Sequence, residues 1–310
     1  MKAYAYMWMF LLLLIACCGC DPTGSSSGDD NTGAIESQPL CTFMVAGDIR
    51  GYAGKSYKYD QYIYFRGACQ EASTYNPDFV AMTGDQDPPE ESKWTINQYL
   101  GIPVVYTVGN HDAESVEALA YINNHNRMLN FTGMSNKRLY QSSTCSFDFQ
   151  NCHFLFVDQY INATQDYPKP ELSNELLSWI ESDLKNSIQQ YKFVIGHVPY
   201  ANYPDADTGL KRKDDLRYEL PQQAGRFWRI LTQNGVNAYF CGHTHVYNCN
   251  KIDNTWQVNP GVALIDTATD TQDNVGGFCV VQVTADSITL NTWRGFDGKY
   301  TLTHIVDLTE

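Results

Sequence analysis

At 310 residues, with 43% hydrophobic and 18% charged side chains, the chain is too long for a minimal scaffold and has room for one large α/β domain or two small ones. Its 35 Asp and Glu outnumber 21 Lys and Arg, a formal net charge of −14. That balance excludes a nonspecific nucleic-acid binder, which needs a basic face to displace counterions; the short run "KRK" at residues 211–213 is followed at once by Asp214 and Asp215 and reads as a solvated loop.

The first element in chain order is a leader. "MKAYAYMWMFLLLLIACCGC" has one early Lys, an apolar run over residues 3–16, then small residues and cysteines. The run is short for a bilayer span and fits the core of a signal peptide. "LIAC", residues 14–17, resembles a bacterial lipobox, in which Cys17 becomes the lipidated first residue; Cys20, with no Leu three positions earlier, is the weaker alternative. Residues 21–38 are a polar stretch with nothing to bury, a flexible tether. The organisation expected is a signal peptide with lipobox over residues 1–20, a tether over 21–38, and one domain over 39–310. Such a protein is exported and held to the membrane of the bacterial cell envelope by its lipid, on the periplasmic or cell-surface side.

The body alternates buried strands with helices. "CTFMVAGD" and "DFVAMTGD" are apolar runs that stop at Gly-Asp, and "IPVVYTVGNHD" stops at Gly-Asn-His-Asp. Between the first two, Tyr62, Phe65, Cys69 and Ala72 keep helical spacing, so a βαβ-type sheet with its polar residues at the carboxyl ends of the strands is predicted. Residues 145–158 read as two strands turning at Gln150 and Asn151, with Cys152 opposite Phe149. Cys145 then lies about 13 Å further along its strand, out of bridging range. Seven cysteines follow the tether, an odd number that leaves at least one thiol free; no pairing is assigned, and the absence of CxxC argues against a thiolate zinc site. "LSNELLSWIESDLKNSIQQ" predicts a helix capped by Ser173, with Leu177, Ile180, Leu184 and Ile188 on one face. "YKFVIGHVPY" is a strand ending in Gly-His, a helix is expected over about 217–233, and "VNAYFCGHTHVYNC" again ends a strand in Gly-His. The tail alternates with period two, several strands with Asp and Gly turns.

The strand ends thus supply Asp48, Asp85, Asn110-His111-Asp112, His197, and His243 with His245. One such residue alone is ordinary turn or hydrogen-bonding chemistry. Five successive strand ends, each with Gly directly before the polar residue, are not. Carboxylate, amide and imidazole together suit a divalent Mn, Fe or Zn ion.

The series "GD-x-R … GD … GNHD … GH … GHTH" resembles the calcineurin-like metallophosphoesterase superfamily over residues 41–293. The resemblance implies a four-layer αββα sandwich of α/β class. It also implies a dinuclear site that hydrolyses a phosphate monoester or diester with metal-activated water. By position, Asp85 would bridge the ions, Asn110, His197 and His243 would complete one site, and Asp48 and His245 would belong to the other. His111 would donate to a phosphate oxygen or the leaving group, with Asp112 orienting its ring. The departure is Arg50, where most of the superfamily has a ligating His; the purple acid branch uses instead a Tyr three residues after the bridging Asp, and here that position is Pro88. Arginine keeps its proton and cannot ligate. Either Arg50 forks onto the substrate phosphate, or the Asp48 ion is weakly held with help from a residue such as Asp87, or the Arg50 charge replaces that ion, so one or two ions are expected. Tyr200 and Tyr203, on the loop after His197, are candidates for an aromatic wall beside the substrate, against the commoner role of loop tyrosines in packing. The rival to an enzyme is a non-catalytic lipoprotein binding a phosphate ligand on the same scaffold. A structural or adhesive role leaves the strand-end residues unexplained.

Overall fold

Alternation along the first strand writes the architecture. In β1 (Cys41–Ala46), Cys41, Phe43 and Val45 enter one apolar cluster and Met44 and Ala46 another, so the strand is buried on both faces. The computed structural model describes residues 38–49, 63–86, 88–141, 143–161, 168–263, 275–296 and 298–309, all within one compact unit, Ser37–Glu310. The leader with Cys17 and Cys20, most of the tether, Arg50 and Asp87 lie outside the described residues.

After β1 come α1 (Ile63–Ser73), β2 (Phe79–Met82), α2 (Pro89–Tyr99), β3 (Val104–Tyr106), α3 (Asn110–Ala113) and α4 (Val116–Met128). Then follow β4 (Met134–Tyr140), β5 (Thr144–Phe149), β6 (Cys152–Phe156), α5 (Asn174–Asn186), β7 (Tyr191–Ile195), α6 (Leu216–Glu219), α7 (Pro221–Gln233) and β8 (Ala238–Phe240). The chain closes with β9 (Tyr247–Ile252), β10 (Thr255–Pro260), β11 (Gly276–Val283), β12 (Ile288–Phe296) and β13 (Lys299–Asp307). Two sheets result, ordered β13-β12-β11-β1-β2-β3 and β4-β5-β6-β7-β8-β10-β9. Phe43 and Phe79 of one meet Phe154 of the other at ring centroids 5.1 and 5.0 Å apart, edge to face, the centre of a dry inter-sheet core. Outside the sheets, Phe65, Cys69 and Ala72 of α1, and Leu177, Ile180 and Leu184 of α5, cover the outer strand faces. This is the mixed two-sheet fold with helical outer layers that the family resemblance implied.

Local detail follows the expectations with two exceptions. Ser173 caps α5 by accepting from the Leu176 N–H, and the β5–β6 register sets Cys152 opposite Phe149 and Cys145 opposite Phe156. Ile188 does not share the α5 face: the helix stops at Asn186 and Ile188 is 94% exposed. The helix expected over 217–233 is two, because Pro221 has no N–H to continue α6 and starts α7 instead.

A charged cluster is buried far from the polar strand ends. The His153 ring sits between two carboxylates, Nδ1 2.7 Å from Asp148 and Nε2 3.0 Å from Asp183, while Asn136 donates to Asp148 and Arg138 pairs with Asp183. Both ring nitrogens face acceptors, so the ring is held as imidazolium. Burial opposes the charge, but the two carboxylates outweigh it and raise the His153 pKa above its ordinary value. A raised folded pKa contributes stability that is fully present below about pH 6.5 and is lost as pH climbs through the folded value. His153→Gln is therefore expected to lose about 3 kcal/mol at mildly acidic pH, with the gap to the wild type narrowing as pH rises. Denaturant unfolding of both proteins across that range checks it; a gap independent of pH would count against the assignment.

Candidate metal centre

The polar residues emerge where strands stop and the backbone turns sharply. Asp48, Asp85, His243 and His245 all have left-handed backbone, with φ of 55°, 57°, 68° and 57°. For non-glycine residues this costs about 1–3 kcal/mol each and persists only where the surroundings enforce it. The preceding glycines are required by volume. A Cβ on Gly84, itself at φ 96°, would lie 2.6 Å from the His197 Nδ1, and one on Gly242 2.6 Å from an Asp48 oxygen. One on Gly109 would collide with Asp85, one on Gly47 with Thr83, and one on Gly196 with the Tyr239 hydroxyl.

The turns bring five stretches of chain together. Ligand atoms of Asp48, Asp85 and His197, all buried, lie within 4.8 Å of one another. His197 Nε2 is 3.1 Å from Asn110 Oδ1 and 3.5 Å from Asp85 Oδ1, and His243 Nδ1 is 2.9 Å from the same Asn110 oxygen. On the other side His245 Nε2 is 3.5 Å from Asp48 Oδ1, and the Asp48 carboxylate also accepts the His243 N–H. All six residues expected as ligands therefore converge.

Donor chemistry tests whether a cation fits. The His197 Nδ1 is 2.7 Å from the Thr83 carbonyl, which can only accept, so Nδ1 carries the proton and donates it. In the neutral ring Nε2 is then a bare lone pair, and it faces two oxygens that are acceptors as well. Three lone-pair atoms turned on one another without a proton are repulsive unless a cation lies among them. Their spacing also suits one, since ligands about 2.1 Å from a common ion in tetrahedral or octahedral array stand about 3.0–3.4 Å apart. Burial pushes the His243 pKa down to about 4, helped by His197, so its nitrogen is available too. At Asp48 burial raises the carboxyl pKa, but the His245 charge and hydrogen bond, followed by His197 and His243, outweigh it and leave it lowered.

His111 stands at the rim, its side chain 26% exposed. Its N–H donates to Asp85 Oδ1 at 2.9 Å, and its ring Nε2 is 3.9 Å from Asp85 Oδ2. The ring Nδ1 is 3.1 Å from Glu114. Asp112 does not orient this ring as expected. It is fully buried, and its two oxygens accept N–H groups from Asp85, Gln86 and Gly109 at 2.7–2.8 Å. Its work is to clamp the Asp85 turn to the Asn110 turn. Burial and the Asp85 charge raise its pKa, against those three donors.

Tyr200 also departs from expectation. Its ring lies flat on Trp228, centroids 4.5 Å apart, with the Arg217 guanidinium 5.6 Å from its centre, which makes it a packing residue rather than a substrate wall. Pro88 precedes α2 and offers no ligand. Four contributors escaped the sequence pattern. Thr83 fixes the His197 tautomer through its carbonyl, which no side chain announces. Gln159 accepts the His197 and Val198 N–H groups through one oxygen. Asn259 bonds the Gly242 carbonyl and the Thr244 hydroxyl, holding the GHTH turn; its place in "WQVNPGVA" just after that motif was a legible signal. Arg212, in the run read as solvated, is half-buried and close enough to His245 for its charge to act on that ring.

Comparison with known proteins agrees with the geometry. The family model described as calcineurin-like phosphoesterase matches residues 41–247. Purple acid phosphatase 18 of Arabidopsis thaliana is 26% identical over 165 residues, 51% of this chain and 33% of that protein, so the match spans about a third of the curated relative's length. Among solved structures, PhoD aligns over 87% of this chain and 69% of its own with a TM-score of 0.57 and 13% identity. GAP50, the anchor in the inner membrane complex of Plasmodium, aligns over 87% and 88% with a TM-score of 0.55 and 14% identity. The purple acid phosphatase PPD1 of yellow lupin aligns over 87% and 54% with a TM-score of 0.52 and 13% identity. At these identities the structural likeness establishes the fold.

Proposed function

The chain belongs to the calcineurin-like phosphoesterase family, and from that premise we propose that it hydrolyses a phosphate monoester or diester at the strand-end site. The observation that carries the reading is the bare His197 Nε2 facing the oxygens of Asn110 and Asp85. One or two divalent ions of the Mn, Fe or Zn kind, held by Asp48, Asp85, Asn110, His197, His243 and His245, would draw charge from the phosphoryl oxygens and acidify a water for attack.

The chain's own groups supply the rest. Asp85 has a ligand atom within 4.8 Å of those of both Asp48 and His197, residues of different halves of the site, which suits a bridging carboxylate. The His111 ring is placed to hand a proton or hydrogen bond to an oxygen of the bound ester, and Glu114 steadies its far nitrogen. Arg212, and Arg50 two positions after Asp48, are the cations we assign to the phosphate. Arg212→Ala is expected to raise KM about tenfold with kcat nearly unchanged, the loss of one charge-assisted contact; steady-state kinetics distinguish this from a fall in kcat, which would place Arg212 in the chemical step. We further propose that the protein works outside the cytoplasm, tethered by lipid on Cys17, a reading supported by the leader sequence alone.

The direct test is turnover. Apo-protein reconstituted separately with Mn, Fe and Zn should hydrolyse chromogenic monoesters or diesters, with metal content following activity. Well-folded protein that binds inorganic phosphate but turns over neither ester with any metal would favour the phosphate-binding alternative.

A further inference from the structure

Cys41 and Cys152 open β1 and β6, at the end of the sandwich remote from the candidate metal centre. β1 ends two residues before Asp48 and β7 two residues before His197, and those two ligands meet. The two strands therefore point the same way, and β6 runs parallel to β7. Phe43 of β1 and Phe154 of β6 touch across the inter-sheet core, centroids 5.1 Å apart. Each cysteine lies two residues before its phenylalanine and so on the same strand face. Stepping back two residues along strands of common direction brings Cys41 over Cys152. Both are completely buried in the same apolar cluster. Both are free thiols in this structure, and Cys152 is near enough to act on its neighbour: after burial itself, Cys152 is the next influence raising the Cys41 pKa.

We propose that Cys41 and Cys152 close a disulfide between the two sheets when the chain folds in the presence of a small-molecule or protein disulfide. One cysteine thiolate attacks a sulfur of, for example, oxidised glutathione, giving a mixed disulfide and releasing one glutathione thiolate. The second cysteine thiolate then displaces the other glutathione from the protein sulfur. Two cysteine thiols are oxidised, one external disulfide is reduced to two thiols, and the two protons pass to the released glutathiones. Burial and the raised Cys41 pKa make the thiolate scarce once the sheets have packed, so exchange belongs to folding or to transient opening rather than to the native state. A bond requires the two sulfurs to close to about 2 Å, an adjustment within reach of two strand starts at the rim of a sandwich. The bridge closes a loop of about 110 residues, long enough for a large effect on the unfolded chain.

The test uses the full chain, refolded in oxidised and reduced glutathione, alkylated in denaturant without reduction, and mapped by mass spectrometry. The expected product is a pair of peptides joined through Cys41 and Cys152, two hydrogens lighter than the separate peptides and split by reductant. In parallel, reduction should lower the melting temperature of the oxidised wild type by about 5–10 °C, and the Cys41→Ala protein should show no such drop. Alkylation of both Cys41 and Cys152 overturns the proposal. So does a bond confined to the other neighbouring pair, Cys249 and Cys279, because refolding would then have passed over the predicted partner.

Discussion

Asp85→Asn is expected to empty the site of its metal and to lower turnover at least about a thousandfold, the scale of losing several kcal/mol of charge stabilisation in the transition state. The substitution isolates charge from shape. Asparagine keeps an oxygen where Asp85 Oδ1 accepts the His111 N–H, so the turn should stay closed. What it removes is the carboxylate that faces His197 on one side and His111 on the other. Elemental analysis beside circular dichroism reads the two consequences separately. A folded variant with full metal and undiminished kcat would mean that Asp85 does not hold the ion, and the assignment of the reaction to this strand-end centre would fail with it.

The second large effect belongs to His111. His111→Gln should cost about 10²–10⁴ in kcat, the usual range for a positioned acid or base, while metal content and melting temperature stay put. The structure separates these outcomes because it is the His111 backbone that bonds Asp85, and its ring sits at the exposed rim. If metal were lost in step with activity, the ring would be a ligand. If inorganic phosphate bound equally well to both proteins and neither hydrolysed an ester, the scaffold would be a binding protein.

Much of this arrangement was legible from pattern. Short continuous apolar runs that stop at glycine and a polar residue marked each strand end, because a strand buried on both faces can expose polar chemistry only where it stops. The β5–β6 register followed from the Gln150–Asn151 turn, since a turn fixes which residues face one another. What the pattern misassigned was decided by tertiary partners. An aspartate next to a histidine reads as its orienting group, yet Asp112 is drawn into the interior by three N–H donors, and Glu114, a helical turn further on, meets the ring instead. Tyr200 on a polar loop reads as available until Trp228 is found beneath it. Left-handed backbone at Asp48, Asp85, His243 and His245 has no local signature, because it is imposed by the neighbouring turns. Pro221 overrides periodicity: the spacing alone fits one helix, and the proline divides it into two.

The glycines before the ligands carry a lesson for anyone who would redesign the centre. The space each one leaves is filled by another motif: Gly84 borders His197, Gly109 borders Asp85, and Gly242 borders Asp48. The turns are therefore interlocked like the pieces of a burr puzzle, and one added carbon displaces the ligand of a different segment. Grafting a single loop from a relative to alter metal preference would disturb donors it never meant to touch. Only the strand-end segments exchanged as a set would preserve the fit.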